Sequence, residues 1–114
     1  MQIVVDGLLI SYNRTGKGKP VLLLHGWGDS QQTFNRLAQD LSTKYEVLTI
    51  DLPGFGASQV PETAWTIEDY SKFIEEFLAK IKVKKIYAVV GHSNGGAIAI
   101  EALADKKVSA DKLV

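Results

Sequence analysis

The pentapeptide Gly91-His92-Ser93-Asn94-Gly95 constrains this chain more than any other feature, because of what lies on either side of it. Residues 86–90, Ile-Tyr-Ala-Val-Val, are short, apolar and β-rich, and read as a buried strand. Residues 95–104 are small or apolar at nearly every position and read as a helix able to pack very closely. A G-x-S-x-G pattern between a strand and a helix is a sharp elbow that presents its serine. The turn brings the residues two before and two after the serine into close approach, so a Cβ at either place would clash. Ser93 Oγ is expected to stand clear of the sheet. The N–H of Asn94 and the positive end of the helix dipole are expected to face the point where a negative oxygen would form.

The rest of the chain alternates between the two periodicities. Residues 3–5 and 8–12 flank Asp6-Gly7, a two-residue hairpin turn. Residues 21–24, Val-Leu-Leu-Leu, form an unbroken apolar run of the kind a strand covered on both faces requires. Phe34, Leu37 and Leu41 recur at helical spacing, with Asp29, Ser30 or Thr33 as candidate caps. Residues 47–51 read as the next strand, followed by a Pro/Gly loop that reaches about Pro61. Thr66 and Asp69 have the spacing of a capping box. Ile67, Tyr70, Ile74, Phe77, Leu78 and Ile81 then make one apolar face of a long helix that ends among lysines. Phe34, Phe73 and Phe77 are assigned to the core, and residues 112–114 begin another strand. The pattern predicts an α/β fold over residues 1–114: one domain with a mostly parallel sheet flanked by helices, opening on a β-hairpin.

Bulk properties exclude several classes. Thirteen basic residues balance thirteen acidic ones, so net charge gives no footprint for nucleic acid or for an anionic membrane. With no cysteine there are no disulfides, thiol nucleophiles or thiolate metal sites. The first residues carry no secretory signal and no run is long enough to span a membrane, so the expected location is cytoplasmic. No His, Asp or Glu cluster has metal-ligand spacing, and no phosphate loop follows Gly54 or Gly56, so no cofactor is expected.

Open α/β sheets bind ligands at the carboxyl ends of their strands, and two more segments sit there. His25-Gly26-Trp27-Gly28 follows the 21–24 run, with Trp27 N–H as a natural second donor beside that of Asn94. Asp51-Leu52-Pro53-Gly54-Phe55-Gly56-Ala57-Ser58 follows the 47–50 run and reads as rigid architecture, with Asp51 in a structural role at the strand end and Ser58 as a turn residue. These three segments, in this order, resemble the oxyanion loop, the D-x-P-G-x-G-x-S loop and the nucleophile elbow of the α/β-hydrolase superfamily of esterase- and lipase-like serine hydrolases. The resemblance covers nearly the whole chain and corresponds to the N-terminal half of that fold.

The resemblance implies acyl transfer to Ser93, with the N–H groups of Trp27 and Asn94 as the oxyanion hole and with His25, Gly26 and His92 lining the pocket. A serine at the elbow argues against haloalkane dehalogenases, which carry aspartate there. The family's acid and histidine come later in the chain, and no residue of these 114 matches either. His25 belongs to the oxyanion loop, and His92 is Ser93's own neighbour, where side chains point different ways. The expected function is therefore a serine hydrolase acting on an ester or related acyl bond of a small molecule, incomplete within these residues. The alternatives are a non-catalytic binding or regulatory protein on the same fold, and an inactive fragment. The 86–90 strand is interior in the family, so here it is expected to offer a bare apolar edge. Self-association, or pairing with a complementary C-terminal segment, would take place through that edge.

Overall fold

A computed structural model describes all of residues 1–114. Six strands form one sheet: β1 (Gln2–Val5), β2 (Leu8–Thr15), β3 (Pro20–Leu24), β4 (Glu46–Ile50), β5 (Ile86–Gly91) and β6 (Ala110–Leu113), in the order β1-β2-β4-β3-β5-β6. β1 and β2 form the antiparallel hairpin around Asp6-Gly7, and β2 lies antiparallel to β4. The other neighbours are parallel, with Val21 beside Val47 on one side and Ala88 on the other. The apolar runs of β3 and β4 follow from this placement, since both strands are covered on their two faces: Leu22, Leu23, Leu48 and Ile50 are fully buried.

Between the strands run α1 (Asn35–Leu41), α2 (Ile67–Lys80) and α3 (Asn94–Ala104). The capping box of α2 is present: Thr66 Oγ1 accepts from Asp69 N–H, and Asp69 Oδ2 accepts from Thr66 N–H. Thr66→Ala is expected to lower the unfolding free energy by about 1 kcal/mol in urea titration; no change would mean that the helix start is held by packing alone. Phe73 and Phe77 are buried beneath β1 and β2, with Tyr12 edge-on to Phe77 at 5.3 Å. Phe34 is also buried, in a smaller cluster with Val21, Leu23, Val47 and Ala88. α3 packs against α2 and β5, and its small residues let Ile98, Ala99 and Ala102 reach the main core.

Two expectations are corrected. The helix expected around Phe34, Leu37 and Leu41 is broken into a 3-10 turn, Gln31–Phe34, and the short α1. Ser30 caps the turn by accepting from Gln32 N–H, and Leu37 remains 40% exposed, while Phe34, Ala38 and Leu41 face the smaller cluster on the sheet. The edge of the 86–90 strand is not bare. β6 pairs with it in parallel, Ile86 beside Ala110 and Val89 beside Leu113, and Val114 exchanges hydrogen bonds with Gly91 and Val89. Residues 105–109 turn the chain back from α3, and residues 110–113 take their strand conformation from backbone pairing with β5, while Leu113 and Val114 stay exposed. The exposed edge of the sheet on this side belongs to β6. No helix is long and apolar enough to cross a membrane.

Candidate active site

Parallel β3, β4 and β5 end together, and the three loops that leave them are built against one another. At the end of β5, Ser93 has φ 55° and ψ −120°, a conformation that L-residues rarely adopt and that costs about 1–3 kcal/mol. The neighbours hold it there. His92 N–H donates to Leu24 O, Gly95 N–H to His92 O, and Gly96 N–H to Ser93 O. A Cβ on Gly91 would lie 2.5 Å from Gly96 Cα, and one on Gly95 would lie 2.2 Å from Leu24 O. The first glycine thus lets the helix start pass over the strand end, and the second lets it sit on the end of β3. Ser93 itself is exposed. Asn94 opens α3, so its N–H is among the donors an α-helix leaves without an intrahelical partner.

The β3 loop comes from the other side. A Cβ on Gly26 would lie 3.0 Å from Ser93 Cβ and 3.2 Å from His92 O, so glycine is what permits this approach. Trp27 N–H donates to no backbone carbonyl, whereas Asp29 N–H closes the turn onto Gly26 O. The Trp27 ring is 44% exposed; it stacks on Phe55 at 4.9 Å and leans on Tyr70 at 5.1 Å. Tyr70 O–H donates to Pro53 O at 2.8 Å, and burial pushes its phenol above the usual value, so the ring wall beside the elbow stays neutral.

His25 is fully buried, and both ring nitrogens are engaged. Nε2 accepts from Leu52 N–H at 3.0 Å, which places the ring proton on Nδ1, 2.7 Å from Gly26 O. This histidine ties the β3 loop to the β4 loop and cannot take a proton from Ser93 while it does so. His25→Ala leaves a buried N–H and a void together and is expected to cost about 3 kcal/mol in denaturant unfolding; a cost below about 1 kcal/mol would show that the tie carries little. His92 is exposed, and its Nδ1 lies 4.0 Å from Asp29 Oδ2.

The β4 loop is a polar lock. Asp51, buried at the strand end, accepts from Gln31 N–H and Ala57 N–H through its two carboxylate oxygens, at 2.8 and 3.0 Å. Ser58 Oγ donates to Asp51 O and accepts from Ser11 N–H. Gly56, at φ 53°, passes so close to this carboxylate that a Cβ would lie 2.4 Å from Asp51 Cγ. The sequence marks Asp51 and Ser58 as structural; the whole lock also needs Gln31, whose side chain accepts from Asn13 and Thr49, and no local pattern announces that residue. No three His, Asp or Glu side chains come together as a metal site.

A serine on a strained elbow, flanked by a glycine-rich loop at the carboxyl ends of a parallel sheet, defines a hydrolase-type α/β fold. The sequence matches the model of the alpha/beta hydrolase fold family over residues 19–114, and the chain belongs to that family. It is 28% identical to a soluble epoxide hydrolase of a Corynebacterium species, covering 98% of this chain and 39% of that one. It is 36% identical to the pimeloyl-[acyl-carrier protein] methyl ester esterase of Aeromonas salmonicida, covering 79% of this chain and 34% of that one. Among solved structures, a meta-cleavage product hydrolase from Pseudomonas fluorescens superposes with a TM-score of 0.92 at 26% identity, over 99% of this chain and 43% of the other. The chain thus spans about a third to two fifths of the length of these relatives.

Proposed function

We propose that this chain carries the nucleophile of a serine hydrolase acting on an ester or a related acyl bond of a small molecule. The observation that supports the reading most is Ser93 itself, exposed at positive φ where a helix begins. In the reaction Ser93 Oγ gives its proton to a base and bonds to the substrate's carbonyl carbon. The N–H groups of Trp27 and Asn94 hold the resulting oxyanion. The bond to the leaving group then breaks as that group takes the proton from the base, and water attacks the acyl-serine to release the acid. Gly26 and His92 line the mouth of this site, and His25 braces it from below.

The hydroxyl also favours one bond type. A serine that opened an epoxide would become an ether, which water does not cleave, and turnover would stop. A serine that attacks a carbonyl becomes an ester, which water does cleave. The esterase named above is therefore a better guide to the chemistry than the epoxide hydrolase, whatever their overall likeness. Neither histidine is read as the base: His25 is locked between two backbone groups, and His92 is Ser93's own chain neighbour, where side chains point different ways. The acid and base come from outside residues 1–114, on chain that continues the sheet beyond β6 or on a partner.

A panel of p-nitrophenyl esters and styrene oxide, offered to a preparation in which the acid and base are supplied, tests the reading. Ester turnover with no epoxide opening is expected; epoxide turnover in place of ester turnover would overturn it. In the same assay Gly26→Ala is expected to lower kcat about tenfold by displacing Ser93 Cβ a few tenths of an ångström, with unfolding nearly unchanged. Full activity in that variant would mean that the two loops need not meet.

A further inference from the structure

The even charge balance conceals a segregation that only the topology makes visible. β3, β4, β5 and β6 all run the same way, so the four segments that enter them lie at one end of the sheet, opposite Ser93. Residues 16–19 carry Lys17 and Lys19, residues 42–45 carry Lys44, residues 81–85 carry Lys82, Lys84 and Lys85, and residues 105–109 carry Lys106 and Lys107. The only carboxylate in these segments is Asp105, which faces Lys107 at 3.9 Å. At the opposite end, residues 25–30, 51–66 and 92–93 carry Asp29, Asp51 and Glu62 and no lysine or arginine.

The lysine segments are neighbours in space as well as in topology. Glu46 N–H donates to Lys19 O, and Ile86 N–H donates to Ser109 O. Lys19 and Lys85 line one shallow depression with Tyr87, and Lys19 Nζ sits 4.8 Å from the centre of that ring. All eight lysines except Lys107 are exposed. Two are single ion-pair partners at the surface: Lys85 with Asp111, and Lys107 with Asp105. Such pairs hold little of a lysine's charge.

We propose that this lysine-studded end is a docking surface for an anionic lipid bilayer, bound peripherally and with the Ser93 end turned toward water. The charge is spread over four separate loops on one broad end, which fits a plane of headgroups better than a groove that follows a strand. The nearest arginine, Arg14, has its guanidinium taken by Glu46 and Ile81 O, so no free fork remains to read phosphate or base edges. Tyr45 and Tyr87 stack on each other at 5.6 Å, which leaves no free pair of rings to take a base between them. Lysines act as point charges that an anionic leaflet attracts within a Debye length, so the contact is additive and reversible by salt.

Vesicle co-sedimentation tests this with the purified protein. Binding is expected to phosphatidylcholine vesicles containing about 30% phosphatidylserine at low salt, with release at about 0.5 M salt and no binding to pure phosphatidylcholine. The triple change Lys17→Gln, Lys44→Gln, Lys84→Gln, one lysine from each of three loops, is expected to weaken partitioning roughly 100-fold. The corresponding triple arginine variant should retain it, with thermal unfolding of both variants as the check on folding. Failure to sediment with phosphatidylserine vesicles at low salt would overturn the proposal, as would a triple glutamine variant that binds like the parent. Displacement from the vesicles by a short DNA duplex at equal charge concentration would replace the bilayer with nucleic acid.

Discussion

Gly95→Ala is expected to cost this fold about 3 kcal/mol or more, one of the largest effects available from a single added methyl group. Its Cβ would lie 2.2 Å from Leu24 O and 2.6 Å from His25 O, against backbone at the end of a fully buried strand. Neither atom can yield without pulling β3 from its register between β4 and β5. Gly28→Ala is the matched control. Its Cβ would meet nothing within 4 Å, but φ is 76°, so the change carries only the strain of the backbone, about 1 kcal/mol. Urea unfolding of the two variants should separate them by a clear margin. Equal losses would mean that contact at the elbow contributes nothing beyond glycine's conformational freedom.

Ser93→Ala is expected to remove roughly 10⁴–10⁶-fold in kcat from the active protein while changing stability by less than about 0.5 kcal/mol. The side chain is exposed, so truncation opens no core cavity. Ser93→Gly sharpens the contrast. At φ 55° a glycine relieves strain that serine must bear, so this variant is expected to be more stable than the parent by up to about 1 kcal/mol and equally inactive. A residue that destabilises its fold and supplies the chemistry is one held for function. If Ser93→Gly were less stable than the parent, the strain argument would fail. If Ser93→Ala kept its ester turnover, the nucleophile would lie elsewhere.

Much of this was legible in the sequence because local and global preferences agree. The apolar runs of β3, β4 and β5, the Thr66–Asp69 capping box and the glycines around Ser93 each carry a short-range signal with one good structural solution. The helical spacing of Phe34, Leu37 and Leu41 holds only in part: α1 carries Leu37 and Leu41, but its approach is a 3-10 turn that ends at Phe34, and Leu37 faces solvent while Phe34 and Leu41 face the core. β6 was underestimated for a different reason. Ala110–Leu113 has little apolar content of its own, and its strand comes from the backbone of β5 beside it. Gln31, which joins β2, β4 and the Asp51 loop, carries no local signal at all, since its partners are 18 and 20 residues away. The charge segregation was invisible in a net count because lysines remote in sequence gather only once parallel strands bring their entry loops to one end.

The central claim is that Ser93 is an activated nucleophile whose base lies outside these residues. It is tested most directly by treating a preparation that turns over an ester with a fluorophosphonate probe and mapping the adduct by peptide mass spectrometry. The expected result is one adduct, on the peptide containing Ser93, absent in Ser93→Ala, and absent when residues 1–114 are treated alone. An adduct on another residue, or one that survives Ser93→Ala, would contradict the assignment of the nucleophile. Labelling of residues 1–114 alone would contradict the assignment of the base and turn attention to His92.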